Sequence, residues 1–425
     1  MQVEELYKIF LSHPSVQTDT RKLQSGDLFF ALKGPNFNGN LFAKKALDAG
    51  AAFVIADEKT GEDEDRIILV DDVLSTLQLL AKHHRQQFKI PFIAITGSNG
   101  KTTTKELLHQ VLATTYKTYT TEGNLNNHIG IPITILKIKA DAEIALIEMG
   151  ANHLKEIESY CRFTLPTHGL ITNCGKAHLE GFGGEKGVRK GKGELFDYLR
   201  ANAGTAFIMS DYNYLIEMSK GIAAVQTYGT HHAIITGHVK NSKGFLHVSI
   251  TKGAAIEVIK TQLVGEYNLP NVLAAVAVGK YLNVRDERIQ SALENYTPSN
   301  SRSQLLVKGN NKIILDAYNA NPSSMKAAIE NFAKMEGHEK ILLLGGMMEL
   351  GEQSVLEHEA IIKIINQYKW KAVALVGGDY NKIEHAYFNF ENSSAAKTWY
   401  LSEDINNAQI LIKGSRSMQM EKIIE

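Results

Sequence analysis

Apolar runs recur along this chain, each closed by glycine or small polar residues and followed by a stretch with helical spacing. "KIPFIAITG", "AEIALIEMGA", "THGLITNCG", "KIILDAYNA", "KILLLGG" and "KAVALVGG" read as strands. Their alternation with helical patterns predicts α/β architecture with largely parallel sheets. Ligands collect at the carboxyl ends of such strands, where these glycines lie. The chain shows no low-complexity segment, heptad array or repeat. Polar stretches at 81–91 ("AKHHRQQFKIP") and 295–304 ("NYTPSNSRSQ") mark boundaries. We therefore expect three domains: 1–85, 86–298 and 299–425.

The first strong chemical signal is "ITGSNGKTTTKELLHQVL" at 95–112. Ile93 to Ile95 read as a buried strand, Gly97 to Gly100 as a tight turn, and Thr103 onward as a helix carrying Leu107, Leu108, Val111 and Leu112 on one face. The phosphate-loop pattern G-x-x-x-x-G-K-[ST] would place glycine at 95, where Ile95 stands. The remaining parts are present. Backbone N–H groups from Gly97, Ser98, Asn99, Gly100 and Thr103 can face phosphates, Lys101 supplies a point charge, and the Thr102 hydroxyl can ligate Mg2+. An ordinary polar βα turn is the competing reading.

Composition narrows the partners. With 46 basic and 46 acidic residues among 425, no net field draws nucleic acid or an anionic membrane, and small substrates are favoured. Two cysteines are too few for a disulfide framework and fit a reducing compartment. The first residues carry glutamates where a signal peptide needs an apolar stretch, and no segment approaches the ~20 apolar residues of a membrane span. The expectation is a cytoplasmic monomer.

A nucleotide site alone fits a switch, a pump or a transferase, so the residues downstream must discriminate. Glu148 ends a strand and could hold a metal, or be a solvated carboxylate. His178 follows the next strand and offers an imidazole, though single histidines are often structural. Lys192 lies in a glycine-broken basic stretch, where composition alone reads a surface lysine.

"TGSNGKTTTKE", "GNLNNHIGIPITIL", "IEMGA", "AHLEGFG", "GKGELF", "DAYNANPSSM", "LGGMMELGE" and "KGSRSMQME" stand in the order seen in Mur ligases, and the resemblance runs from about Thr18 to Glu421. It implies a UDP-sugar-binding N-terminal domain, a central ATPase domain of P-loop type and a Rossmann-like C-terminal domain. The implied activity is ATP-dependent amide formation through an acyl phosphate and a tetrahedral intermediate. More narrowly, the chain resembles members that join D-alanyl-D-alanine to UDP-N-acetylmuramoyl-tripeptide. Residue by residue, the resemblance assigns Lys101 to the phosphates, Thr102 and Glu148 to one Mg2+, and His178 to a second. Lys192 matches a lysine that becomes carbamylated and supports the second Mg2+, with Lys190 as the competing candidate.

The same resemblance implies an adenine contact at Asn268 with Asn271 nearby, Arg302 near the nucleotide, and Asp316 on the ribose. Tyr267 replaces the family's usual histidine, Ser301 its glycine, and Gly346 a common aspartate. Asn126, Asn127, Tyr318, Asn319 and Asn321 fall to the substrates, the last three because "Asn-Ala-Asn-Pro" is the pattern of dipeptide-adding members. The Asp-Asn-Pro-x motif of diaminopimelate-adding members is absent. Thr20, Arg21, Lys33, Gly34, Asn38 and Gly39 would lie against uridine and diphosphate, or form a glycine-bearing surface turn. A single-amino-acid Mur ligase, a folylpolyglutamate synthetase and a nucleotide-dependent regulatory module are the alternatives.

Overall fold

The computed structural model describes residues 2–59, 64–299, 301–337 and 339–425. Among the described residues the strands form three main sheets, of four, nine and six strands, beside a two-stranded hairpin. The six apolar runs all appear as strands. Phe92–Thr96 and Ile144–Glu148 are buried at every position, as expected where helices cover both faces of a parallel sheet.

In the nine-stranded sheet Phe92–Thr96 lies between His168–Ile171 and Ile144–Glu148, parallel to both, in a register that puts Ile95 opposite Glu148 and Thr96 opposite Ile171. All three carboxyl ends therefore open at one edge. There the chain leaves Phe92–Thr96 toward one side of the sheet, to Thr118–Thr120, and leaves the neighbouring His168–Ile171 toward the other, to Thr205–Met209, the kind of position at which open α/β sheets bind ligands.

The expected largely parallel architecture is present, with antiparallel additions. The far side of the nine-stranded sheet is an antiparallel meander of Ile235–Asn241, Phe245–Lys252 and Val258–Val264. In Phe245–Lys252 buried positions alternate with more exposed ones through the middle of the strand, so one face is packed and the other meets solvent. In the six-stranded sheet Gln304–Lys308 pairs antiparallel with Asn311–Asp316, and the other pairings are parallel.

The helix Leu269–Tyr281 is buried from Leu269 to Gly279 apart from Pro270 and packs along the phosphate-loop helix Lys101–Ala113. The helix Val73–Gln86 ends at a sequence-predicted boundary, yet it packs on central helices Gly130–Leu136 and Glu156–Thr164. Arg85 fastens it: Nε donates to Thr164 O and Nη2 to Leu165 O, each at 2.9 Å, while the guanidinium covers the Phe92 ring at 3.7 Å. Both cysteines are buried and free. Among the described residues no helix is long and apolar enough to cross a membrane.

Candidate active site

The loop after Phe92–Thr96 is shaped by two glycines with positive φ, +145° at Gly97 and +81° at Gly100. A Cβ at Gly97 would stand 1.9 Å from Thr172 Oγ1, and one at Gly100 2.7 Å from Asn271 Oδ1. Side chains are thus excluded both by conformation and by space. The helix starts at Lys101, two residues before the sequence reading placed it. The N–H groups of its first turn are the orphan donors that bind phosphates.

Lys101 is half-buried, and its Nζ donates to Gly97 O at 2.7 Å. Burial lowers its pKa; Glu148 opposes that shift, and the positive charge of Arg302 adds to it. Arg302 arrives from the C-terminal unit with its guanidinium 3.5 Å above the Tyr318 ring. Two cations from different units thus repel one another, a repulsion that a polyanionic phosphate would relieve.

Glu148 is 1% exposed. Its Oε1 accepts from Thr102 Oγ1 at 3.2 Å and from Asn126 Nδ2 at 2.8 Å, while Oε2 is buried without a partner. A buried carboxylate oxygen left unpaired is costly, and beside a threonine hydroxyl it suits a hard cation. Among the described residues no three His, Cys, Asp or Glu side chains cluster to cage a metal. A threonine hydroxyl beside one carboxylate is a donor set suited to Mg2+, which keeps waters and takes one or two protein oxygens plus substrate phosphates.

Lys192 overturns the surface reading. It sits mid-way along the helix Glu185–Ala201, fully buried. Its Nζ donates to Ala151 O at 3.0 Å and lies 4.9 Å from the Phe182 ring centre. Burial first, and the charge of Lys101 second, bring its pKa down to about 7. Lys190, the competing candidate, is exposed. His178, at φ +52° just before the helix Leu179–Phe182, sets Nδ1 2.5 Å from Glu349 Oε2.

Other residues singled out in the sequence are held by contacts within the chain. Asn127 Oδ1 accepts from Ile129 N and Gly130 N, capping the next helix. Asn268 Nδ2 donates to Val264 O, and its Oδ1 accepts from Asn271. Asn271 in turn accepts from Thr104 on the phosphate-loop helix. Asp316 pairs with Lys413 at 2.6 Å and accepts from Ser303 N. Asn319 Oδ1 accepts from Ala320 N. A Cβ at Gly346 would meet Gly378 Cα at 2.5 Å, so an aspartate does not fit there.

In the N-terminal unit, Thr20 is half-buried, and exposed Arg21 pairs with Asp19 at 2.7 Å. Lys33 and Gly34 pair in a hairpin with Asn38 and Phe37. Lys33 lies 3.1 Å from Asp57 and 3.3 Å from Glu58, and Asn38 donates to Glu58. The Gly39 N–H bonds Leu32 O at 2.8 Å. The C-terminal unit docks on the central one partly through Lys176, which the sequence did not single out: it pairs with Glu357 at 2.6 Å and donates its N–H to Ser323 Oγ at 2.9 Å, while Tyr267 OH meets Ser303 Oγ at 3.0 Å.

Three family descriptions match the sequence in succession: "Mur ligase family, catalytic domain" over residues 14–85, "Mur ligase middle domain" over 95–279, and "Mur ligase, glutamate ligase domain" over 301–416. The chain belongs to the Mur ligase family. Among Mur ligases it is 35% identical to the UDP-N-acetylmuramoyl-tripeptide–D-alanyl-D-alanine ligase of Bacillus subtilis, covering 100% of this chain and 96% of that one. The Escherichia coli ligase of the same name is 33% identical, over 99% of this chain and 95% of that one. Among solved structures, the MurF of Acinetobacter baumannii superposes with TM-score 0.89 at 27% identity over 100% and 97% of the two chains. The MurF of Thermotoga maritima, in complex with ADP, does so with TM-score 0.87 at 26% identity over 97% of each.

Proposed function

We infer that this Mur ligase joins D-alanyl-D-alanine to UDP-N-acetylmuramoyl-tripeptide with ATP, in peptidoglycan synthesis. The observation that carries the reading is full-length similarity to ligases of that name, laid over a site suited to phosphoryl transfer. The tripeptide carboxylate attacks the γ-phosphorus of ATP, giving an acyl phosphate and ADP. The dipeptide amine then attacks the acyl carbon, and the tetrahedral intermediate expels phosphate to leave the amide.

Transfer between anions is catalysed chiefly by positioned charge. The loop N–H groups and Lys101 hold the phosphates, and Arg302 approaches from the opposite unit. Thr102 and Glu148 are the residues to hold Mg2+, which neutralises charge on the transferred group when bound. His178 and Lys192 serve a second cation. A buried lysine whose pKa is lowered to about 7 has a substantial neutral-amine fraction near neutral pH, and that amine adds to carbon dioxide with loss of a proton to give a carbamate. The product carries the anionic oxygens a cation needs. Asn268 and Asp316 serve adenine and ribose. Thr20, Arg21, Lys33, Gly34, Asn38 and Gly39 serve the UDP moiety. Asn126, Asn127, Tyr318, Asn319 and Asn321 serve the acceptor and dipeptide. The protein works in the cytoplasm as a monomer.

Phosphate release from ATP with UDP-N-acetylmuramoyl-tripeptide tests this reading. D-Ala-D-Ala should support rapid release and single D- or L-amino acids should not, since a site that pairs both ends of a dipeptide leaves polar groups unpaired around one residue. Equal turnover with a single amino acid would move the assignment to a sibling ligase, and ATP binding without amide formation would favour a regulatory module.

A further inference from the structure

Glu349 reaches His178 across the junction of the central and C-terminal units, with Oε2 2.5 Å from Nδ1. The separation is within hydrogen-bond reach, although the contact in its present orientation is not an aligned one. Several contacts fix the backbone that carries Glu349. Met347 N donates to His358 Nε2 at 3.0 Å and Met348 N to Ser415 Oγ at 3.1 Å, so the two preceding residues are tied to buried side chains. The Glu349 carbonyl accepts from Glu180 N at 3.4 Å, two residues beyond His178. Both Glu349 (φ +62°) and His178 (φ +52°) hold the left-handed conformation, which non-glycine residues keep only where their surroundings impose it. The Glu349 side chain is nevertheless 51% exposed, too open for a packing role.

We propose that Glu349 is a positioning residue: from the C-terminal unit it keeps the His178 proton on Nδ1 and leaves the Nε2 lone pair free for a divalent cation. A carboxylate behind a ligating imidazole fixes its tautomer and ring orientation and raises its basicity. Here that carboxylate belongs to the other unit, so the His178 subsite is complete only when the two units are docked. The inference rests on the assignment of His178 to a cation.

The test uses the full-length protein with 15N-labelled histidine, free of metal and nucleotide, at a pH well above the ordinary imidazole value of about 6.5. The His178 signals are identified by their loss in His178→Gln. The ring nitrogens should report a proton on Nδ1 in the wild type, a shift toward Nε2 protonation in Glu349→Ala, and retention of the wild-type pattern in Glu349→Gln, whose carbonyl still accepts. An unchanged tautomer in Glu349→Ala overturns the proposal. Mn2+ is then added as the probe. Paramagnetic broadening at His178 should need about ten- to a hundredfold more Mn2+ in Glu349→Ala than in the wild type, the usual scale for such outer contacts. A His178 signal that Mn2+ never broadens in the wild type, despite a tautomer that follows Glu349, overturns the cation assignment and the proposal with it, and leaves the ligase reading standing.

Discussion

Asn321 of the C-terminal unit donates its side-chain amide to Asn99 Oδ1 in the phosphate loop at 2.7 Å. The same asparagine caps the helix Pro322–Lys334, its Oδ1 accepting from Ser324 N at 2.9 Å. One residue therefore starts a C-terminal helix and ties that helix to the phosphate loop.

The two roles separate by substitution. Asn321→Ser keeps a capping oxygen and loses the amide donor, so unfolding stability should stay close to wild type while kcat/KM for ATP falls. Asn321→Ala loses the cap as well and should cost about 1 kcal/mol more. Chemical denaturation and steady-state kinetics on both variants check this. Equal kcat/KM in Asn321→Ser and the wild type would show that the bridge is incidental to catalysis.

Lys101→Ala should fold and fail to turn over. Among the described residues the side chain bonds only its own loop, Gly97 O and Ser98 O, so little packing is lost. Removal of a preorganised charge from the transferred phosphoryl group should lower kcat by at least ~10²-fold. Circular dichroism and phosphate release measure the two halves, and near-normal turnover in the folded variant would overturn the ligase reading.

The phosphate loop could be read from sequence because strand, glycine turn and helix start are consecutive, and each residue's chemistry acts locally. The same holds for Glu148 at its strand end. The meander at 235–264 escaped because its half-buried strands lack the continuous apolar runs of the parallel ones. Burial of Lys192 was hidden because a lysine among glycines and charges reads as surface, and only the packed helix encloses it. Docking contacts were out of reach for another reason: Asn99 and Asn321 lie 222 positions apart, and polar pairs leave no periodic trace. Tyr267, seen in sequence as a departure, turns out to bond Ser303 across the unit junction.

His84 gives a pH prediction. It is buried, its Nε2 2.8 Å from Ile138 O and its Nδ1 3.0 Å from Tyr7 OH. The carbonyl only accepts, so Nε2 carries the proton and Nδ1 accepts from the tyrosine. Burial lowers the imidazole's pKa. The unfolded chain therefore binds a proton first as pH falls below the ordinary value of about 6.5, and stability drops in that window while it is fully present above it. In urea denaturation between pH 7.5 and 5, the His84→Gln variant should lose less stability than wild type. A slope identical to wild type would mean that His84 contributes nothing to the acid sensitivity.

Lys192 carries the most discriminating prediction. Its Nζ is buried against Ala151 O and Phe182, and among the described residues no carboxylate reaches it within ion-pair distance. A permanent ammonium is costly there. A pKa of about 7 would supply the neutral amine for the proposed capture of carbon dioxide, and the proposed carbamate would bring anionic oxygens to a second cation. Lys192→Ala should then lose activity, and a small carboxylic acid added to the assay should restore part of it by entering the vacated space. Lys192→Arg should fail and resist rescue, because guanidinium stays charged, forms no carbamate and fills the space. Circular dichroism on both variants separates loss of chemistry from loss of fold. Acidification destroys carbamates, so the direct check is a crystal structure at neutral pH with Mg2+. An unmodified ammonium at Lys192 in an active, Mg2+-bound enzyme would assign this lysine another role.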